Sequence, residues 1–126
     1  MRCPCTSGNT FDACCGPIID GRLLAPTAER LMRSRFTAFA IGDRDHLLRS
    51  WHPSTRPEDL ELDPGTRWTR LDIIEKQAGG PFDAEGVVAF EARFRDDGVP
   101  GRMRERSRFA REDRVWMYVD GSTLEG

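Results

Sequence analysis

Residues 102–111 read Arg102-Met103-Arg104-Glu105-Arg106-Ser107-Arg108-Phe109-Ala110-Arg111. Arginine stands at every second position from Arg102 to Arg108. Side chains alternate across a β-strand but recur about every 3.6 residues on a helix, so this strict two-residue period predicts a strand. One face carries Met103, Glu105, Ser107 and Phe109; the other carries the four arginines. Met103 and Phe109 mark the first face as the inward one, and Glu105 is carried inward with them.

The same period extends to both sides. Strands are expected at about Thr66–Lys76, Gly86–Arg95 and Val115–Asp120, with Gly79-Gly80-Pro81, Asp96-Asp97-Gly98 and Glu112-Asp113 as turns. The last three strands read as an antiparallel meander. Upstream the period changes to that of a helix. A first helix is expected from about Pro26 to Ile41, with Pro26 at the first helical position and Gly42 closing the end. Its stripe is Ala28, Leu31, Met32, Phe36 and Phe39. A second helix runs from Asp43 as N-cap to about Trp51, burying Leu47, Leu48 and Trp51, and Pro53 stops it. A short helical turn is expected near Arg56–Leu60. Helices first and strands afterwards predict an α+β fold, with one helical layer on one sheet.

Composition narrows the function classes. The chain has 126 residues, enough for one domain, and a net charge of −2, which supplies no global attraction to nucleic acid or anionic lipid. The arginine row suggests a phosphate-binding surface. With Arg93 beside it and Glu91 as an acidic neighbour, it reads better as a solvated, charge-balanced face, which argues against a nucleic-acid partner. No stretch approaches the ~20 apolar residues that span a bilayer, and the first residues lack the apolar core of a signal peptide. A cytoplasmic location is therefore expected, where thiols stay reduced.

All four cysteines fall near the N-terminus: Cys3, Cys5, Cys14 and Cys15. In a reducing compartment this clustering reads as a metal site before it reads as disulfides. The alternatives are four ordinary thiols or a strained bridge between Cys14 and Cys15. Cys3 and Cys5 point the same way if that segment is extended, and Thr6-Ser7-Gly8-Asn9 can turn the chain back toward the second pair. Four thiolates suit one structural zinc ion and leave no open coordination position. Iron is the alternative metal, since thiolates alone do not exclude it. Residues 1–20 would then be a zinc knuckle ordered by the ion in place of an apolar core.

The run Cys3-Pro4-Cys5-x-Ser7-Gly8 followed by Cys14-Cys15 resembles the SEC-C metal-binding motif, with Thr6 where that motif usually has glycine. Further segments resemble the bacterial YchJ family: Leu31-Met32-Arg33-Ser34-Arg35-Phe36, Trp51-His52-Pro53-Ser54, Phe90-Glu91-Ala92-Arg93-Phe94, and Glu105-Arg106-Ser107-Arg108-Phe109 with Val119-Asp120-Gly121. The resemblance implies that residues 21–126 form a nuclear transport factor 2-like domain. In that cystatin-like cone a curved antiparallel sheet is wrapped by helices around a pocket. It implies no established activity. Family members often carry a second SEC-C motif at the C-terminus; none stands before Gly126, so no role of that motif is carried over.

Three residues are candidates for the pocket. At about 100° per residue, Arg35 falls inside the apolar stripe of the first helix. A buried guanidinium needs a partner, so an Arg35–Glu105 ion pair is expected, or at least a shared polar cavity. His52 follows a core tryptophan and is the type of side chain that titrates near neutrality, which makes it a candidate acid or base beside Arg35 and Glu105. His46 is expected on a solvated helix face. Two functions follow. One is a zinc-binding adaptor whose metal knuckle docks a protein partner, without catalysis. The other is a domain or enzyme that takes a small polar ligand in the cone. Sheets of this kind often pair face to face, which leaves a homodimer open.

Overall fold

The computed structural model describes residues 1–124. Four strands, β1 (Thr66–Ala78), β2 (Glu85–Asp96), β3 (Val99–Glu112) and β4 (Val115–Thr123), form one sheet in the order β1-β2-β3-β4. Every neighbouring pair is antiparallel. The register pairs Phe90 with Glu105 and Glu91 with Arg104, so the arginine row of β3 faces outward, away from Phe109 and Ser107, which are buried. Irregularities between Trp68 and Arg70, between Ile73 and Glu75, and between Arg108 and Phe109 bend the strands. Extra residues of this kind increase local twist, which curls a sheet around whatever fills its inner face.

The filler is helix α2 (Ala28–Ile41). The helix begins two residues later than a proline-first start implies: Thr27 is the N-cap, and its hydroxyl accepts from Arg30 N at 3.1 Å. That hydroxyl satisfies an orphan N–H that Pro26 has no group to meet. Gly42 closes the helix at φ 78°, a left-handed conformation that costs other residues energy. The β1–β2 hairpin passes close beneath the helix start. A Cβ at Gly86 would lie 2.5 Å from Gly79 Cα, and Ala28 N donates to Gly79 O at 3.0 Å.

Helix α3 (Arg44–Arg49) is shorter than the spacing to Trp51 implies. The Ser50 hydroxyl folds back to donate to His46 O at 2.6 Å. Residues 50–52 then turn toward β4, with Tyr118 N donating to Ser50 O at 2.8 Å and His52 N to Tyr118 O at 2.7 Å. The expected turn of helix at 56–60 is absent. So few residues gain little against the cost of helix nucleation. Instead the Arg56 guanidinium donates twice to Trp51 O, at 3.0 and 2.8 Å, and Thr55 bonds β4 through Val119 O.

The N-terminal segment contains a short 3-10 helix η1 (Phe11–Ala13) and one turn of helix α1 (Gly16–Ile19). It shares one continuous core with the sheet: all four cysteines cluster with Leu31, Phe36, Leu71, Val88, Phe109 and Trp116. On the outer face Glu91 is ringed by Arg104, Arg93 and Arg102 at 3.0, 3.2 and 3.5 Å, and Asp120 holds Arg108 through two bonds. The arginine row is thus largely matched by acids on neighbouring strands.

Candidate functional site

The cysteine sulfurs converge although the residues come from two separate turns. Cys3 and Cys5 flank a turn in which Thr6 N bonds Cys3 O and Cys3 N bonds Asn9 O. Cys14 and Cys15 follow η1 and lead into α1. All four sulfurs lie within 4.8 Å of one another, and all four residues are buried. Cys5 to Cys14 is 3.6 Å and Cys14 to Cys15 is 3.9 Å. Four sulfurs at ~2.3 Å from a tetrahedral zinc would stand ~3.8 Å apart, so these separations match the edges of such a tetrahedron. They also exclude a bridge between Cys14 and Cys15, since bonded sulfurs sit at ~2.05 Å. The donor set therefore fits a metal ion. The thiols act on each other as one coupled group. Hydrogen bonds from Cys15 and Cys3 hold Cys5 far below the ordinary thiol range. The contacts with Cys3 and Cys5, with burial, drive Cys15 far above it.

Helix α2 grips this knuckle from one side. Arg33 Nη1 donates to Cys5 O at 3.1 Å and approaches its sulfur at 3.9 Å, while Arg30 Nη2 donates to Cys14 O at 3.2 Å. Thr37 Oγ1 lies 3.6 Å from the Cys3 sulfur and Ser7 Oγ 3.3 Å from that of Cys14. Strand β1 grips the other side, where Thr6 Oγ1 donates to Leu71 O at 3.0 Å and accepts from Leu71 N at 3.2 Å. Four thiolates on a divalent ion leave two negative charges, which guanidinium donors beside the site offset. Sequence reading missed these supports. Their signal is the spacing of Arg30, Arg33 and Thr37, which places all three on one helical face.

The opposite face of α2 looks into the cone. Met32, Phe36 and Phe39 line it from the helix, with Trp68, Phe90 and Met103 from the strands, around a cavity of about 190 Å³. Phe36 and Phe39 both sit 6.0 Å from the Trp68 ring. Arg35, Glu105 and Ser107 supply the polar groups. The expected ion pair is not made. Arg35 and Glu105 share the cavity, but no carboxylate lies within 4.0 Å of Arg35 among the described residues. Instead Arg35 Nη1 donates to Leu47 O at 2.8 Å and to Ser50 Oγ at 2.6 Å. Its guanidinium carbon stands 4.4 Å from the Tyr118 ring centre and 5.1 Å from that of Trp51. The end of α3 and two aromatic faces therefore take the role expected of Glu105. The Glu105 carboxylate instead accepts from Ser107 Oγ at 2.7 Å. Burial pulls Arg35 down to about 10, against smaller opposing influences of Tyr118 and Glu105, so it stays charged at neutral pH.

Neither histidine sits where the sequence places it. His52 does not reach the cone. Its Nε2 bonds Glu112 at 2.7 Å and its Nδ1 bonds Ser54 Oγ at 2.7 Å, outside the sheet's inner face. The chain leaves α3 at Ser50, and the turn through Pro53 carries the ring toward Glu112 at the end of β3. The Ser54–His52–Glu112 chain has the connectivity of a hydrolytic triad. The N–H groups beside it are already taken, Ser54 N by His52 Nδ1 and both Thr55 N and Arg56 N by His52 O, so they do not form an oxyanion hole. His46, expected in solvent, is buried between α3 and α2. Ser34 gives its hydroxyl proton to Leu31 O at 2.7 Å, so His46 Nε2–H donates to Ser34 Oγ at 2.9 Å. Burial, with Arg49 and Arg35 nearby, pushes His46 down to about 4.

No helix among the described residues is long and apolar enough to cross a membrane. The family described as the YchJ, middle NTF2-like domain matches residues 27–121. A UPF0225 protein of Streptomyces coelicolor is 49% identical over 123 residues, covering 98% of this chain and 96% of its own. One of Chromobacterium violaceum is 50% identical, covering 94% and 90%. Among solved structures, a SEC-C motif containing protein from Rhodopseudomonas palustris superposes with a TM-score of 0.86 at 31% identity, over 99% of this chain and 100% of the other. A second SEC-C motif containing protein, from Psychrobacter arcticus, has a TM-score of 0.77 at 21% identity over 98% and 83%, and bears on the fold alone. A helix-wrapped antiparallel sheet of this shape, with a domain match across most of its length and such relatives, means that the chain belongs to the YchJ family.

Proposed function

We propose that this protein is a zinc-stapled binding domain of a reducing compartment such as the cytoplasm, in which the knuckle is structural and the cone receives a small organic ligand. Residues 1–20 supply the metal-holding segment and 21–126 the nuclear transport factor 2-like domain. Zinc suits Cys3, Cys5, Cys14 and Cys15 because four thiolates at tetrahedral spacing fill its coordination and leave no position for chemistry. One observation carries the ligand reading: Arg35 is 3% exposed, charged, and without a carboxylate partner in a largely aromatic cavity. A buried cation with unmet donors is costly unless something fills its place.

A second reading keeps the knuckle as a docking surface for a protein partner. It is favoured by Leu23 and Leu24, which are 57% and 59% exposed just after the knuckle. One NMR experiment separates the two. A fragment set is titrated into zinc-loaded protein carrying labelled Met and Leu methyl groups. The cone reading expects shifts at Met32 and Met103. Shifts confined to Leu23 and Leu24, or none at the two methionines, would overturn it. Elemental analysis of the same sample should give one zinc per chain. Iron in its place would correct the metal but not the site.

A further inference from the structure

We propose that the cone's ligand is a single planar ring bearing one carboxylate, seated on Arg35, and a hydroxyl or amino donor directed at Glu105; this rests on the reading of the cone as a ligand site. The polar groups of the cavity, Arg35 and Glu105, set what the ligand must carry. A guanidinium offers five N–H donors. Arg35 uses Nη1 on Leu47 O and Ser50 Oγ, which leaves the donors of Nε and Nη2 without a partner among the described residues. Nε and one Nη form the planar fork that binds a carboxylate through two bonds. An acceptor-rich anion answers all of these groups together.

The remaining features narrow the class. Ser107 occupies Glu105 Oε2, and Oε1 has no partner among the described residues, so this carboxylate asks for a donor. A phosphate fits poorly: its second negative charge would meet one guanidinium and the nearby Glu105 carboxylate. The walls are aromatic or thioether side chains from α2 and the strands, surfaces that suit a flat ring. The cavity of about 190 Å³ is a little larger than a ~150 Å³ protein cavity that takes up benzene, so it holds one ring with small substituents and not two.

The test uses zinc-loaded, full-length protein and four probes: 4-hydroxybenzoate, benzoate, benzylamine and toluene. Binding is read from tryptophan fluorescence and from the Arg35 Nε–H and Trp51 indole resonances. The expected order is 4-hydroxybenzoate, then benzoate, then the neutral ring, with benzylamine weakest. Arg35→Gln should weaken the carboxylates by roughly tenfold or more while leaving toluene unchanged. Glu105→Gln serves if the Arg35 variant does not fold. It should bring hydroxybenzoate and benzoate to nearly equal affinity. Toluene or benzylamine binding in the cone as tightly as the carboxylates overturns this ligand class and leaves the cone reading standing. No probe shifting any cone resonance overturns both. Carboxylate binding that moves only outer-face arginine signals overturns the assignment to Arg35.

Discussion

Acidification should destabilise this protein through His46, by an amount the structure sets. His46 is 5% exposed, and its Nε2–H is committed to Ser34 Oγ. Its proton affinity falls from 6.5 in the unfolded chain to about 4 in the fold, first because burial disfavours the imidazolium and then because Arg49 and Arg35 repel it. The unfolded chain therefore takes up the proton at a pH where the folded chain does not. The contribution of neutral His46 is present in full above the unfolded value. It declines as pH falls from 6.5 toward about 4, and changes no further below that. The linkage amounts to about 2 kcal/mol at about pH 5, and about 3 kcal/mol once the folded group also titrates. The assay is urea unfolding of the wild type and His46→Gln at a series of pH values. Glutamine can still donate to Ser34 yet does not titrate, and the difference between the two proteins cancels the carboxylates and thiols they share. The wild type should lose stability relative to the variant across this window. A flat difference, or a His46 resonance titrating near 6.5, would refute the burial argument.

Two further outcomes are expected. Arg33→Ala removes the donor to Cys5 O and the cation beside the thiolates, and should weaken metal binding by roughly 10–100-fold in competition with a chromophoric chelator. Unchanged affinity would mean that the knuckle holds its ion without α2. Glu105→Gln should alter the urea-unfolding free energy by less than about 1 kcal/mol, because the carboxylate's protein partner is the Ser107 hydroxyl and not a buried cation. A loss of several kcal/mol would restore the Arg35–Glu105 ion pair that the sequence suggests.

Helix α2 shows where reading the chain stops and folding takes over. Its apolar stripe is visible in Leu31, Met32, Phe36 and Phe39, and the stripe places Arg35 among buried neighbours, which is where it sits. Its second working face, Arg30, Arg33 and Thr37, looks from the sequence like an ordinary polar surface. It is not one, because the cysteine segment folds onto it. His46 fails for the same reason: α3 packs against α2 over a side that periodicity assigns to solvent. His52 fails through a turn, since the geometry after Pro53 decides which way the ring swings.

The periods of helix and strand, the inward face of β3 and the gathering of four cysteines were all readable from the chain. Each depends on backbone geometry within a few residues or on the chemistry of one side-chain type. The partners of Arg35, the burial of His46 and the clasp of α2 on the metal knuckle were decided only by tertiary structure. A hydrogen bond forms or fails over a few tenths of an ångström between atoms far apart in the chain, and no local pattern carries that distance.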